Sequence, residues 1–144
     1  MMAGIRGKDT KPELLLRRAL HGLGLRYRLH VTGLPGRPDI VLPRHRAVIE
    51  VRGCFWHRHE GCAFATKPAT NTPFWSSKFS ENIKRDKRNF DALRDLGWRI
   101  AIVWECSVRK EGAGTIAEKL VNWLESRPRT VEFPSKSRIS GSSG

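Results

Sequence analysis

The sequence predicts one α/β domain, a sandwich of helices around a mixed β-sheet. Segments with helical periodicity alternate along the chain with short β-rich runs, which is typical of this class. The chain has 144 residues, enough for one hydrophobic core and too few for two. The predicted order of elements is one helix, three strands, a second helix, a fourth strand and a third helix.

The first half of the chain is predicted to hold one helix and three strands. Thr10 and Glu13 have the spacing of a capping box, and apolar residues at helical spacing follow them. Two later β-rich runs flank a short segment that contains Pro43, and they predict a hairpin. The helix is predicted over 13–23 and the three strands over 25–30, 39–42 and 47–51.

The second half is predicted to add two helices and one strand. The regular pattern breaks down over 53–73, where His, Cys, Gly and Pro crowd together. Pro, Ser, Gly and Arg dominate 127–144, which predicts a disordered basic tail, so we assign the domain to 1–126. A long helix is predicted over 74–96, a continuous apolar strand over 98–104 and an amphipathic helix over 115–125.

The chain is strongly basic, with 27 Lys and Arg against 14 Asp and Glu and a formal net charge of +13. This excess favours a polyanionic partner, because each neutralised phosphate releases condensed counterions. A solubility charge, or a basic tail on an unrelated enzyme, is the alternative. The basic residues are spread over 6–28, 44–58, 78–99 and 127–138, so a tail does not explain them. No apolar run approaches the roughly 20 residues of a membrane span, and we expect a cytoplasmic protein.

Two carboxylates and an arginine lie on the predicted hairpin. Ten residues separate Asp39 from Glu50, so the two carboxylates are expected to meet on neighbouring strands. Together they would hold Mg²⁺, which polarises a phosphate and activates water. Arg52 shares the strand face of Glu50 and would stabilise transition-state charge. A turn aspartate and a solvated edge glutamate are the alternative interpretation.

One carboxylate falls on the apolar face of the long predicted helix. Phe79, Ile83, Phe90 and Leu93 share one face at 3.6 residues per turn, and Asp86 lies in the middle of that face. A carboxylate on a core-facing surface is costly unless it is paired or used in chemistry. We favour a carboxylate that orients a catalytic base over a structural salt bridge to a neighbouring arginine.

Three cysteines and two histidines provide soft metal ligands. Cys54, Cys62 and Cys106 are an odd number, which argues against a disulfide framework and leaves buried thiols or metal ligands. With one histidine, they supply the four ligands of a tetrahedral structural zinc. The spacing leaves His57 and His59 competing for the metal role, and the other imidazole is a natural general base.

Two adjacent aromatic residues, Phe55 and Trp56, lie in the same His-rich segment. Most aromatic side chains fill protein cores, and that is the simpler interpretation. In a basic protein, adjacent loop aromatics can instead wedge between base pairs of DNA.

Several uncommon sequence blocks occur in one order along the chain. They are GKDTKPE at 7–13, LPGRPD at 34–39, GCFWH at 53–57, RDKR at 85–88, and GWR followed by VWEC within 97–106. In these blocks the chain resembles the very-short-patch repair (Vsr) endonucleases, from Met1 to about Lys110. That family has the PD-(D/E)xK nuclease architecture. The resemblance therefore implies a restriction-endonuclease-like three-layer sandwich around a mixed sheet, with a structural zinc site.

The resemblance implies a role for each active-site candidate. It matches Asp39 to the metal-binding aspartate, His57 to the general base and Asp86 to the carboxylate that orients this base. Glu13 matches an N-terminal glutamate of the family's active site. For the magnesium ion we predict three ligands, which are Asp39, Glu50 and the backbone carbonyl of Val51.

The resemblance also implies the zinc ligands and the DNA contacts. Because His57 is taken by catalysis, His59 joins the three cysteines, so the zinc ligands are Cys54, His59, Cys62 and Cys106. The wedge residues of the family match Met2, Phe55 and Trp56. On the long helix, we predict that Lys78 and Asn82 contact DNA.

Vsr enzymes nick DNA next to the T of a T·G mismatch left by deamination of 5-methylcytosine. The resemblance therefore implies a Mg²⁺-dependent, strand-specific nickase of very-short-patch repair, with double-stranded mismatched DNA as its partner. Other mismatch-repair proteins and a cytosine-5 methyltransferase system are expected as functional partners. We expect a monomer, associated with the nucleoid and not with a membrane.

The chain departs from familiar Vsr members at the hairpin, where Glu50, Val51 and Arg52 replace Phe-Thr-His. The segment between His59 and Cys62 is one residue longer. Two alternatives therefore accompany the main prediction. One is a homing or restriction-type nuclease that cuts undamaged duplex, and the other is a catalytically dead, zinc-stabilised DNA-binding module.

Overall fold

A computed structural model describes residues 10–29, 31–54, 57, 59, 62, 70 and 72–135 of the chain. It contains four α-helices and five strands in this part of the sequence, with a short 3-10 helix at Pro43–His45. The helices are α1 (Lys11–Gly22), α2 (Thr72–Asp95), α3 (Glu105–Glu111) and α4 (Ala113–Leu124). The strands are β1 (Arg28–Leu29), β2 (Ile40–Leu42), β3 (Ala47–Arg52), β4 (Arg99–Trp104) and β5 (Thr130–Phe133).

The five strands form one mixed sheet in the order β1-β2-β3-β4-β5. The β1–β2 and β2–β3 pairs are antiparallel, whereas the β3–β4 and β4–β5 pairs are parallel. The predicted hairpin and the predicted mixed sheet are therefore confirmed. Because β3 and β4 run in the same direction, the residues that follow both strands emerge at one edge of the sheet.

Helices cover the two faces of the sheet, as expected for the α/β sandwich. Alternate residues of β3 point to opposite faces: Ile49 packs against α1 and α4, and Val48 packs on the side of α2. The capping box predicted at Thr10 and Glu13 begins α1. The core residues on the α1–α4 side include Leu16, Leu20, Ile40, Val103, Ile116 and Leu120, all fully buried.

The predicted core face of the long helix is only partly correct. Leu93 is fully buried, but Ile83 is 50% exposed, and Leu93 is the one buried residue among those described in α2. The reason is length: the 24 residues of α2 span about 36 Å, whereas a six-residue strand spans about 20 Å. The first half of α2 therefore extends past the sheet. The side chain of Asp86 remains 20% exposed and is not enclosed in the core.

The prediction of a disordered tail from residue 127 is wrong for its first part. Residues Thr130–Phe133 form β5, the edge strand beside β4. The overall Pro-Ser-Gly-Arg composition concealed a run of only four residues, three of which (Thr130, Val131 and Phe133) have high β-propensity. Arg99 fixes the connection to this strand, because its guanidinium donates to the carbonyls of Trp123, Leu124, Ser126 and Pro128 at 2.9–3.0 Å.

Two smaller differences concern element boundaries. The strand predicted over 25–30 shortens to the two residues of β1, and the sequence did not predict α3. Helix α3 follows β4 directly and carries Cys106 in its first turn. In the part of the chain that the structure describes, no helix is both long enough and apolar enough to cross a membrane.

Candidate active site and metal centre

The β2–β3 hairpin brings the first two predicted carboxylates to the same edge of the sheet. Ile40 pairs with Ile49 in the antiparallel register, which places Asp39 opposite Glu50 just beyond the last pair. Asp39 is fixed there, because its Oδ2 accepts a 2.7 Å hydrogen bond from the backbone N–H of Val51. The prediction that the two carboxylates lie on neighbouring positions of the hairpin is therefore correct in geometry.

Electrostatics at this edge favour a bound cation. Burial raises the pKa of Asp39 well above its usual value, and the nearby carboxylates of Glu13 and Glu50 raise it further. The hydrogen bond from Val51 and the guanidinium of Arg17 act in the opposite direction but do not cancel the rise. The carboxylate of Asp39 is thus repelled by two other acidic groups in a poorly solvated place. Carboxylate oxygens so arranged fit a hard divalent cation such as Mg²⁺, which would relieve that repulsion.

Glu13 belongs to this environment through α1. Its side chain is 1% exposed, and its Oε2 forms a 2.7 Å ion pair with the guanidinium of Arg17, one turn later on the helix. The pair brings a buried cation close to Asp39 as well. Arg17 was not among the residues that the sequence predicted for the site, because an arginine four residues after a glutamate is the usual pattern of a surface helix.

Glu50 and Arg52 face the same side of β3 and pair with each other. Their closest atoms, Glu50 Oε1 and Arg52 Nη2, lie 3.0 Å apart, and both side chains are mostly buried at 14% and 12% exposure. The guanidinium of Arg52 also lies 5.8 Å from the ring centroid of Trp104. The predicted ligand and the predicted stabiliser of transition-state charge therefore form an ion pair with each other.

A histidine–aspartate pair lies beside the hairpin. His57 Nδ1 and Asp86 Oδ2 are 2.5 Å apart, with side chains 29% and 20% exposed. The sequence places these residues 29 positions apart, and the fold joins them because α2 packs against β4, the parallel neighbour of β3. With Nδ1 held by a carboxylate, the proton resides on that nitrogen and the other ring nitrogen, Nε2, is left to accept a proton. This is the chemistry of a general base.

The second ligand cluster lies after the ends of β3 and β4. Cys54, His59, Cys62 and Cys106 bring one ligand atom each to a common point, and these atoms all lie within 4.8 Å of one another. The four residues are those predicted for zinc, and their convergence is confirmed.

The cluster's dimensions can be compared with those of a zinc site. Bonds of about 2.3 Å to sulfur and 2.0–2.1 Å to nitrogen at tetrahedral angles put the sulfur and nitrogen about 3.5 Å apart. The Sγ atoms of Cys54 and Cys106 lie 3.7 Å and 3.4 Å from Nδ1 of His59. Burial raises the pKa of both thiols, so metal binding here must displace protons. The donor set and its spacing fit a structural zinc.

Trp104 connects the two clusters, and sequence reasoning missed this role. Its ring stacks on His59 at 4.1 Å and meets His57 edge-on at 6.4 Å. Its indole N–H donates a 2.6 Å hydrogen bond to Glu132 of β5. The residue was noted only as part of a family motif, and Glu132 was assigned to the tail. No local pattern signals such contacts, because they join two strands, β4 and β5, with the segment that follows β3.

The predicted DNA contacts are described only in part. Met2, Phe55 and Trp56 lie outside the described residues, so their wedge role stays a prediction. Lys78 is exposed on α2, and Asn82 on the same helix accepts a 2.5 Å hydrogen bond from Arg85. The backbone N–H of Val51 donates a hydrogen bond to Asp39. The prediction for Val51 concerned its carbonyl as a metal ligand, and that part stays a prediction.

Comparison with known proteins identifies the family. The family profile described as DNA mismatch endonuclease Vsr matches residues 1–63. Type II nicking enzyme V.XorIIP of Xanthomonas oryzae pv. oryzae is 43% identical over 135 residues, which cover 94% of this chain and 91% of that protein. DNA mismatch endonuclease Vsr of Escherichia coli is 43% identical over 126 residues, with coverages of 85% and 80%. Type II nicking enzyme V.NmeAIP of Neisseria meningitidis is 39% identical over 111 residues, with coverages of 77% and 79%.

These relatives are all named as enzymes that cut DNA, and the match extends over most of each chain. The class of the protein is therefore DNA endonuclease. More narrowly, the chain belongs to the Vsr endonuclease family, which confirms the resemblance seen in the sequence.

Proposed function

We propose that this protein is a Mg²⁺-dependent endonuclease that nicks one strand of double-stranded DNA at a T·G mismatch in very-short-patch repair. The observation that carries the proposal is the pairing of His57 with Asp86 beside the carboxylates of the β2–β3 hairpin. A proton acceptor and a cation site at one sheet edge are the two components that metal-assisted phosphodiester hydrolysis requires.

His57 acts as the general base in this proposal. Asp86 holds Nδ1 in its protonated form and leaves Nε2 to take the proton of a water that attacks phosphorus. As positive charge develops on the imidazole, the carboxylate of Asp86 stabilises it at 2.5 Å. Asp86 is thus a positioning residue, and His57 is the residue that meets the reacting water.

Asp39 holds the magnesium, with Glu50 and the Val51 carbonyl as its proposed companions. When bound, the ion polarises the phosphate and makes the attacking water more acidic. Asp39 is suited to this because burial and the charges of Glu13 and Glu50 raise its pKa and so destabilise its ionised form, which a bound cation would stabilise. Both hydrogen bonds from Arg52 go to Oε1 of Glu50, so Glu50 could bind the ion through Oε2 with the pair intact. If Glu50 instead leaves Arg52, the guanidinium is free to meet a phosphate oxygen.

Specificity for a mismatch rests on residues that approach the base pairs. Met2, Phe55 and Trp56 are the proposed wedge, because unstacking a mismatched step costs less than unstacking a paired one. Lys78 and Asn82 of α2 are proposed to contact the same DNA. The E. coli relative is named a DNA mismatch endonuclease, which supports this choice over cleavage of intact duplex.

The Cys54–His59–Cys62–Cys106 cluster is proposed to hold a structural zinc ion. Because Cys54 follows β3 and Cys106 follows β4, the ion would tie together the sheet edge that carries the active site. The proposed assembly is a monomer near the nucleoid that shares its pathway with other mismatch-repair proteins and a cytosine-5 methyltransferase system.

Two alternatives make different predictions for one experiment. Nicking is measured on matched duplexes that carry either T·G or T·A at one position, with Mg²⁺ and with EDTA. The proposal expects Mg²⁺-dependent cutting of the T strand in the T·G duplex only. A homing or restriction-type enzyme would cut both duplexes, and a catalytically dead binding module would bind both and cut neither.

The double variant in which Phe55 and Trp56 are both alanine should lose T·G nicking while general duplex affinity changes little.

A further inference from the structure

An arginine near the active site has a backbone conformation that L side chains rarely adopt. Among the described residues, the non-glycine residues with positive φ are Arg37, at 46°, and Arg46, at 50°. Arg37 also precedes Pro38, and a residue before proline ordinarily favours extended backbone. Such a conformation at a non-glycine residue persists only when its surroundings enforce it, and it is a reason to look for function.

The surroundings of Arg37 are a tight turn pressed against α2. The N–H of Arg37 donates a 3.1 Å hydrogen bond to the carbonyl of Leu34, which closes the turn, and Gly36 has a φ of 75°. A Cβ at Gly36 would lie 3.0 Å from the side chain of Asn89, so the turn touches the helix here. Asn89 is one helical turn after Asp86. Arg37 is therefore held at the flank of the active site, two residues before Asp39.

The side chain of Arg37 is directed towards solvent. It is exposed, and among the described residues no acceptor receives a hydrogen bond from its guanidinium. A constrained backbone thus presents a guanidinium outward, beside the proposed cation site.

Arg46 provides the internal comparison. It has the same type of backbone conformation, but it lies before β3, at the opposite end of that strand from the active site. Its guanidinium has partners within the protein, since it donates to the carbonyl of Leu96 at 3.3 Å and lies 5.0 Å from the ring centroid of Trp98. Both arginines close a turn through their N–H groups, because Arg46 donates to the carbonyl of Pro43 at 3.1 Å. They differ in their side chains: that of Arg46 has partners within the protein, and that of Arg37 has no hydrogen-bond partner within the described part of the chain.

We propose that Arg37 is a DNA phosphate contact that positions the nicked strand against Asp39. A guanidinium offers paired donors that match two oxygens of one phosphate, and a fixed backbone reduces the freedom lost when that contact forms. The ligand is a backbone phosphate within a few nucleotides of the cut. This inference rests on the proposed DNA cleavage and adds a substrate-positioning residue that the sequence analysis did not identify.

The test uses Arg37→Gly, Arg37→Lys and, as a matched control, Arg46→Gly. Glycine removes the backbone strain at both positions. Stability therefore reports the change in the backbone, whereas DNA binding and nicking report the loss of the guanidinium. Affinity for a T·G duplex is measured in Ca²⁺ as a function of salt concentration, and nicking is measured in Mg²⁺ in a single turnover. Binding is then repeated with duplexes that carry one uncharged methylphosphonate at each position near the cut.

We expect Arg37→Gly to lower the slope of log affinity against log salt by about 0.9, the value for one lost phosphate contact. Nicking should fall by about tenfold, with the unfolding temperature unchanged or raised by about 2–4 °C. One methylphosphonate should weaken binding of the parent and not of Arg37→Gly. Arg37→Lys should keep the salt slope, and Arg46→Gly should keep both the slope and the nicking rate.

An unchanged salt slope and an unchanged methylphosphonate profile in Arg37→Gly would overturn the proposal. A lower unfolding temperature that accounts for the lost binding would do so too, because Arg37 would then be structural. If the parent protein itself cuts no DNA, it is the proposed function that fails. A parent that nicks normally beside an equally active Arg37→Gly variant rejects this inference alone.

Discussion

Replacing Asp86 with asparagine tests the proposed general base most directly within the protein. The substitution keeps the size of the side chain but removes the charge that lies 2.5 Å from Nδ1 of His57. A hydrogen bond to a charged group contributes about 1.5–3 kcal/mol, and both side chains are more than two-thirds buried. A loss of about 2.7 kcal/mol in the transition state corresponds to about 100-fold in rate. An asparagine amide can also favour the wrong tautomer, so we expect a decrease of at least about 100-fold.

The assay is single-turnover nicking of an end-labelled T·G duplex at saturating enzyme and Mg²⁺, so that binding does not limit the rate. Asp91→Asn is the matched control. Asp91 lies on the same helix, and its carboxylate pairs only with the exposed side chains of Lys87 and Arg94 among the contacts described, at 3.2 Å and 3.3 Å. Such pairs contribute little, so the control should nick within about twofold of the parent.

A double substitution sharpens the test. If His57 and Asp86 act as one unit, adding Asp86→Asn to His57→Ala should lower the rate little further. Nicking by Asp86→Asn within about threefold of the parent, at equal DNA affinity, would refute the assignment of the general base.

Three further predictions concern metals and charge. Asp39→Asn should raise the unfolding temperature in EDTA at neutral pH. Burial raises the pKa of Asp39 in the folded state, so the parent loses stability as pH rises through that pKa. The advantage of the variant should vanish in acid, where Asp39 of the parent is protonated and uncharged as well. The same variant should lose Mg²⁺-dependent nicking. Thermal scans across pH with matched nicking assays would then show a more stable but inactive protein. A variant less stable than the parent at neutral pH would contradict this prediction. Cys106→Ser should copurify with less than one zinc per chain and unfold about 10 °C lower, for a loss of about 3 kcal/mol, as measured by elemental analysis and calorimetry; folded parent protein without zinc would exclude the site. Glu50→Gln should raise the Mg²⁺ concentration for half-maximal nicking by about tenfold, or about 1.4 kcal/mol, and an unchanged Mg²⁺ titration would leave Glu50 as the partner of Arg52 alone.

Local patterns in the sequence were sufficient for most of the sheet and for one part of the site. The β-rich run of 47–51 and the apolar run of 98–104 predicted β3 and β4, because both strands are largely buried and rich in apolar residues. Asp86 stood out because it interrupts a helical apolar stripe. Its partner came from family resemblance, since 29 residues separate it from His57 and no spacing rule joins them.

The errors have a common physical origin in long-range contacts. Strand β5 is stabilised by pairing with β4 and by Arg99 at the preceding turn, and neither contact leaves a signal within Thr130–Phe133 itself. The stripe on α2 predicted burial for Ile83, but a helix longer than the sheet cannot bury its whole length. Trp104 and Glu132 were missed for the same reason, because a hydrogen bond between two strands follows from register and not from composition.

The central claim is that the His57–Asp86 pair and the Asp39 cation site together make a nickase directed at T·G mismatches. It is tested most directly by one measurement, the single-turnover nicking rate of a duplex with both strands labelled, which carries T·G or C·G at one position in saturating Mg²⁺. We predict cutting of the T-containing strand alone, at least about 100-fold faster than any cutting of the C·G duplex, a difference of about 2.7 kcal/mol. Equal rates on the two duplexes, or cutting of both strands, would contradict it.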